Sequence, residues 1–370
     1  MLTMIGLAVV SVAVALIIAH VIFRPPTLDG QAVSHAVQAS RSTALGRLAL
    51  SRPSQQDGDS GFTPLLDGPD AFAARVALIR AAEVALDVQY YICHRDATGL
   101  ILLDELRKAA ARGVRVRLLL DDNGISGLDD ELAALDALPG IEVRLFNPFI
   151  VRTLKSLGYA FDFFRLNRRM HNKSFTADGA VSIVGGRNVG DVYFGFGTGV
   201  QFIDTDVMVA GQAAAEIGAD FDRYWQCRSS HAIARIVGAP AHGSLDRLMS
   251  EARQAADSPE GKLYAERLLT SNLVSQIAAG QPTFEWTKIA LVSDDPAKGL
   301  GEAEHSDLLF PQLMTLLATP SRSVDLVSAY FIPGRVFSDR LAQLVRAGVR
   351  VRTLTNSQSA TDVVVVHSAY

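Results

Sequence analysis

The chain has 370 residues, of which 49% are hydrophobic and 20% charged, and its formal net charge is -4. That composition supplies core for one large or two ordinary globular domains, and it excludes a global basic field of the kind that drives non-specific nucleic-acid binding. The two cysteines, Cys93 and Cys227, have no metal-ligand spacing and form no disulfide framework, which excludes a structural zinc centre and leans towards a reducing compartment.

Residues 2–23 run for 22 positions without Asp, Glu, Lys or Arg, long enough to cross a hydrocarbon core as a helix. Arg24-Pro25-Pro26 stops the run. No basic residue precedes it and no A-x-A pattern closes it, so an uncleaved anchor (residues 1–23) is favoured over a signal peptide. Arg24 and Arg41 follow the span, and the positive-inside bias then puts the remainder on the cytoplasmic side. Residues 24–62 are rich in Ser, Ala, Gly, Gln and Pro and read as a juxtamembrane linker, with one short helical piece at 44–50.

From residue 63 the pattern alternates. A helix is predicted at 71–82 with Asp70 as its N-cap, a strand at 85–92, a helix at 100–111, a strand at 114–120, a helix at 128–138 and a strand at 141–146. Such alternation predicts an α/β fold whose largely parallel or mixed sheet is flanked by helices. Asp121 and Asp122 end a strand where α/β sites collect, or they cap a turn. Between 149 and 169, Arg152, Lys155, Arg165, Arg168 and Arg169 alternate with Tyr159, Phe161, Phe163 and Phe164. The mixture suits a lip that touches anionic headgroups, a groove for single-stranded nucleic acid, or a structural loop with aromatics in the core.

The densest chemistry lies at 170–188. His171 and Lys173 are two residues apart and would share a face of an extended strand, placing a nucleophile or base beside a fixed positive charge. Asp178-Gly179 reads as a turn, residues 180–184 as a strand, and Gly185-Gly186-Arg187-Asn188 as a second turn where a backbone can approach a ligand. The glycine-rich loop at 190–199 flanks this region, and a strand at 201–209 carries Asp204 and Asp206 on one face, as outward charges or as partners of the site. A helix at 213–226 follows, then a helical excursion at 231–283, and strand character resumes at 284–293.

An internal repeat orders these pieces. Val84-Ala85-Leu86-Asp87-Val88-Gln89-Tyr90-Tyr91-Ile92 aligns with Val324-Asp325-Leu326-Val327-Ser328-Ala329-Tyr330-Phe331-Ile332. Gly113-Val114-Arg115-Val116-Arg117 aligns with Gly348-Val349-Arg350-Val351-Arg352. A strand–helix–strand unit is therefore duplicated. No second H-x-K follows it: His367-Ser368-Ala369, after the β-branched run 363–366, is not one.

The H-x-K-x4-D pattern followed by G-G-x-N resembles the signature of the phospholipase D superfamily. Together with the apolar N-terminus and Ser293-Asp294-Asp295-Pro296-Ala297-Lys298, it looks like the bacterial cardiolipin synthase branch. The resemblance implies two pseudo-symmetric halves, each giving one motif to a shared site. The first half would then be 63–230 and the incomplete second half 284–370, making the chain part of a longer protein or a half-enzyme that completes its site as a homodimer. It further implies a phosphatidyltransferase of the bacterial inner membrane acting on anionic phospholipids, phosphatidylglycerol foremost and phosphatidylethanolamine as a second lipid, with no cofactor, no metal and no nucleic acid. The catalytic residues would be His171, Lys173 and Asp178, with His171 forming a phosphatidyl-histidine, Asp178 orienting or charge-balancing the site, and Lys173, Asn188 and Gly186 holding the phosphate. A hydrolase releasing phosphatidic acid, a superfamily nuclease and an inactive membrane-anchored scaffold are the rival readings.

Overall fold

The computed structural model describes residues 2–50, 59–197, 199–279, 283–318, 320–359 and 361. Parts of the predicted linker, Thr198 of the glycine-rich loop, residues 280–282 of the excursion, and the C-terminal run 363–366 with His367 lie outside them. The chain forms two compact units, Met1–Leu291 with Pro296–Ala303, and Val292–Asp295 with Glu304–Tyr370.

The first unit opens with α1 (Leu2–Ile22), whose apolar window from Thr3 to Ile22 has a mean hydropathy of 2.7 and none of it buried. After α2 (Ala44–Leu50) come β1 (Ser60–Leu65), α3 (Gly68–Ala81), β2 (Ala85–Tyr90), α4 (Ala97–Ala111), β3 (Arg115–Asp121), α5 (Asp129–Asp136) and β4 (Ile141–Phe146). The order continues through α6 (Tyr159–Leu166), β5 (Ser174–Ala177), β6 (Val181–Gly185), a single turn α7 (Asp191–Phe194), β7 (Asp206–Gly211), α8 (Gln212–Trp225) and β8 (Ser230–Ala232). It closes with α9 (Ser244–Asp257), α10 (Pro259–Thr270), α11 (Asn272–Ala278) and β9 (Glu285–Thr287).

The nine strands make one mixed sheet in the order β8-β4-β3-β2-β5-β6-β7-β1-β9. Strands β2, β3 and β4 are parallel, whereas β5 runs antiparallel between β2 and β6. Every residue of β2 is buried, as expected of a strand covered by helices on both faces. Its one charge, Asp87, is neutralised by Arg117 of β3 at 2.6 Å. The cap of α3 differs from the sequence expectation: Asp67, not Asp70, caps it by accepting from the Asp70 N–H at 3.0 Å, with Pro69 in the first turn.

Two other expectations change. The predicted excursion is part of the core layer, because Leu248 and Ala252 of α9, Tyr264 of α10 and Ile277 of α11 join the main apolar cluster with α3 and α4. The predicted linker is a pinned strap as far as residue 50. Arg117 donates to the Ser34 carbonyl at 2.9 Å, Arg115 to His35 at 2.8 Å and Arg144 to Ala32 at 2.5 Å, while the Ala36 N–H donates to Asp222. A strap lacking regular structure needs partners for its carbonyls, and these basic residues on β3 and β4 supply them. Arg144 also stacks over Trp225, 4.1 Å from the ring centroid, so its guanidinium is buried without loss of donors.

The second unit contains α12 (Leu309–Leu316), β10 (Ser323–Val327), α13 (Gly334–Arg346) and β11 (Arg350–Leu354). Its strands are parallel, with Val324 opposite Val351, as β2 and β3 are parallel in the first unit. The duplicated strand–helix–strand unit is thus present in both.

Candidate active site

The candidate site follows from the direction of β5. Because β5 is antiparallel to β2, its start lies at the C-terminal end of the parallel strands and its finish at their N-terminal end. His171 and Lys173 precede β5 rather than lying within it, in extended backbone just outside the sheet. Beyond the start of β5 the two flanking strands close on each other. Cys93 pairs with Val189, Val189 N–H donates to the Ile92 carbonyl at 3.0 Å, and His94 N–H donates to Val189 at 2.9 Å. The two motif segments 171–173 and 186–189 are therefore held side by side.

Lys173 folds back on His171. Its Nζ donates to the His171 carbonyl at 2.8 Å and lies 3.4 and 3.5 Å from the two ring nitrogens. The Tyr91 ring, just past β2, sits 4.7 Å from the imidazole and 5.5 Å from the Lys173 Nζ. The His171 side chain stays exposed at its outer face while protein crowds the rest, and Lys173 is buried. Burial, then the positive charges of Lys173 and Lys298, pull the imidazole down to about 4. The ring is therefore neutral, with a lone pair available, near neutral pH. Burial also pulls Lys173 down to about 8, although Asp204 and Asp206 act to raise it.

The loop that carries His171 is tied to β3. Asp121 is fully buried and accepts from Arg169 Nη2 at 2.6 Å, Met170 N–H at 2.8 Å and Asn123 N–H at 2.9 Å. Burial pushes this carboxyl up to about 6, against the opposing pull of Arg169. The neighbouring Asp122 takes Arg152, Lys155 at 2.9 Å and the Phe149 N–H at 2.6 Å. Both aspartates hold the segment between β4 and His171, so their role exceeds the turn cap that was one sequence reading. Four of the five cations in the basic lip are consumed in this way, since Arg165 pairs with Asp162 at 2.6 Å. The expected headgroup-binding cations accordingly face inward.

Asn188 is buried at the same sheet end, where Oδ1 accepts from the Ile92 N–H at 3.1 Å and Nδ2 donates to Tyr193 Oη at 3.0 Å. The amide carries a second hydrogen beyond the one given to Tyr193. Gly186 does not offer its N–H to a phosphate, because that group donates to the Thr205 carbonyl at 3.1 Å. A Cβ at this glycine would come within 1.9 Å of Asp204 Oδ1, so the carboxylate packs directly on the Gly186 backbone. Asp206 is fully buried and locks the same turn, accepting from Arg187 N–H at 3.2 Å and from Arg75 at 2.8 Å.

Asp178 is placed apart from the other two motif residues. It ends β5 opposite Ala85, roughly 20 Å from His171 at about 3.3 Å per extended residue. Its buried carboxylate accepts from the N–H groups of Glu83 (3.1 Å), Val84 (2.8 Å) and Ala85 (3.0 Å), with its own backbone at φ 53°. A catalytic or charge-balancing role does not fit that position; the geometry makes Asp178 the clamp that registers β5 against β2. Tyr91 and Lys298 are the neighbours of His171 that sequence reasoning missed. Tyr91 looked like any core aromatic of a strand, and Lys298 comes from far along the chain. Lys298 lies in the turn Pro296–Leu300, where Gly299 accepts from Asn147 at 3.1 Å.

Comparison with known proteins places these residues in context. A family model described as cardiolipin synthase, PLD-like domain, matches residues 76–225. Cardiolipin synthase C of Escherichia coli is 47% identical over 326 residues, covering 88% of this chain and 69% of that protein. Cardiolipin synthase 2 of Staphylococcus epidermidis is 26% identical over 300 residues, covering 80% of this chain and 50% of that protein. Among solved structures, the phosphatidylserine synthase of Haemophilus influenzae matches with a TM-score of 0.50 at 14% identity, over 81% of this chain and 62% of that one. That likeness concerns the fold.

Two outcomes follow. Asp178→Ala is expected to lower stability by about 2–4 kcal/mol, since three backbone donors lose their acceptor and Ala is strained at positive φ, with Asp178→Asn losing roughly half as much. Urea unfolding of both variants checks this, and equal losses would contradict the clamp. In single-turnover kinetics, His171 must be neutral and Lys173 charged. The rate should rise with pH through about 4, stay level, and fall through about 8. An acid limb centred at 6.5 would mean an unperturbed imidazole.

Proposed function

The chain belongs to the cardiolipin synthase family of phospholipase D-like proteins, and on that premise we propose that it is a phosphatidyltransferase making cardiolipin through a phosphatidyl-histidine on His171. The observation that carries this reading is the neutral imidazole held against the Lys173 ammonium, with Nζ 3.4 Å from Nδ1. Phosphodiesters are very slow to cleave unaided, and a covalent intermediate divides the barrier. The ring nitrogen attacks phosphorus, the bond from phosphorus to the glycerol oxygen breaks, and the departing oxygen takes a proton from a general acid. The free hydroxyl of a second phosphatidylglycerol then attacks the same phosphorus, returns its proton to that group and releases His171. Two phosphatidylglycerols thereby give one cardiolipin and one glycerol.

Lys173 and the remaining Asn188 amide hydrogen would face the non-bridging oxygens as charge builds on them. The general acid would be a second imidazole, from the motif of the duplicated half or from a second copy of the chain, because the 370 residues contain one H-x-K. Phospholipids are the substrate class; phosphatidylglycerol as acceptor, with phosphatidylglycerol or phosphatidylethanolamine as the phosphatidyl donor releasing glycerol or ethanolamine, are the specific choices proposed. We further propose α1 as a single span in the bacterial inner membrane, with the sheet on the cytoplasmic side. A hydrolase reading uses the same intermediate with water as acceptor, and the span favours transfer by keeping two lipid substrates at one surface.

The test is the full chain and its His171→Ala variant, each in vesicles with labelled phosphatidylglycerol, with and without phosphatidylethanolamine. Without phosphatidylethanolamine, cardiolipin and glycerol should form in equal amounts, and the variant should lose at least about 1,000-fold in rate, the scale on which removal of a covalent nucleophile acts. Phosphatidic acid as the sole lipid product would make the enzyme a hydrolase. An unaffected variant would remove His171 from the mechanism.

A further inference from the structure

The segment between β4 and His171 turns four of its five cations inward and several apolar side chains outward. Leu154, Leu157, Phe163 and Phe164 are 53%, 52%, 52% and 76% exposed, while Arg152, Lys155, Arg165 and Arg169 are bound to aspartates. The chain departs from helical geometry at Asp162 (φ -139°, ψ 35°), immediately before the Phe163-Phe164 pair. This patch continues directly from α1. His20 Nδ1 donates to the Phe161 carbonyl at 3.0 Å, and the Phe23 ring lies 5.4 Å from that of Phe161. The last turn of the apolar helix thus ends on α6.

We propose that Leu154, Leu157, Phe163 and Phe164 form a hydrophobic wedge seated in the headgroup–acyl boundary of the bilayer that α1 enters. The bilayer is the occupant because the patch adjoins the point where an unburied span of membrane length meets the first unit. A short apolar face beside such a span lies at interface depth, where aromatic rings partition well. The wedge binds through apolar burial rather than charge, unlike the basic lip expected from the sequence. It also has a catalytic consequence. His171 follows α6 by five residues, so seating α6 in the interface holds the nucleophile close to the plane of lipid phosphates. A substrate would need to rise only slightly from the bilayer to reach it.

This inference rests on reading α1 as a membrane span, and its test does not use the reaction. The full chain carrying Phe164→Trp, and separately Leu157→Trp, is reconstituted in phosphatidylglycerol–phosphatidylethanolamine vesicles, with emission of the unaltered chain subtracted to remove Trp225 and Trp286. Lipids brominated high on the acyl chain should quench the added tryptophan by more than half, with little quenching by aqueous acrylamide. If the chain floats with the vesicles but acrylamide quenches the probe, the wedge is overturned and the anchor stands. Protection from both quenchers would mean that protein covers the patch, which also overturns it. A chain that does not float removes the anchor and the wedge together.

Discussion

A single buried carboxylate sets the position of the loop that carries His171. Asp121 ends the central strand β3 with no exposure to solvent, and it accepts at once from the Arg169 guanidinium and the Met170 N–H, the two residues before His171. Desolvating a carboxylate in this way is costly unless its lone pairs are filled, so the loop must present those donors for the strand end to fold. The consequence spreads along the segment. With Asp122 taking Arg152 and Lys155 in the same manner, the acidic edge draws these cations inward and leaves apolar residues between them to face outward. The orientation of the exposed aromatics and that of the His171 loop thus have one electrostatic origin.

The motif divides its labour along a strand. One end of β5 adjoins His171 and Lys173, where the imidazole and ammonium are packed against Tyr91 and both are pulled below their ordinary pKa by burial. The other end bears Asp178, which fixes the register of β5 on β2 through three backbone N–H groups. A register slip would turn the side chains of β5 to the opposite face, so a carboxylate roughly 20 Å away by strand geometry still governs the aim of His171. Similarly, Asp204 and Asp206 touch no reacting atom in this reading. They shape the Gly185–Asn188 turn and favour the charged form of Lys173.

Much of this was legible in the residues alone. Strand and helix alternation, the repeat and the pairing of His171 with Lys173 all follow from local periodicity, which a sequence states directly. Partners distant along the chain were not legible. Arg152, Lys155 and Arg169 read as a surface charge cluster because the aspartates that neutralise them are some 23 to 48 positions away. The strap read as a linker because nothing in its Ser/Ala/Gln composition shows that Arg115, Arg117 and Arg144 will bind its carbonyls. Helices α9–α11 looked weakly patterned because only a few side chains of each, such as Leu248 and Ile277, enter the core. Asp178 was grouped with the catalytic residues by proximity in the motif, although antiparallel pairing carries it to the far end of the strand.

The central claim is that His171 carries the phosphatidyl group. The most direct measurement mixes the full chain with phosphatidylglycerol in vesicles, quenches the mixture within one turnover, and reads by mass spectrometry the peptide that contains residue 171. The expected result is the mass of one phosphatidyl group on the His171 ring, formed before cardiolipin accumulates and consumed as it does. Product appearing while residue 171 stays unmodified, or with the adduct on a different side chain, would contradict it.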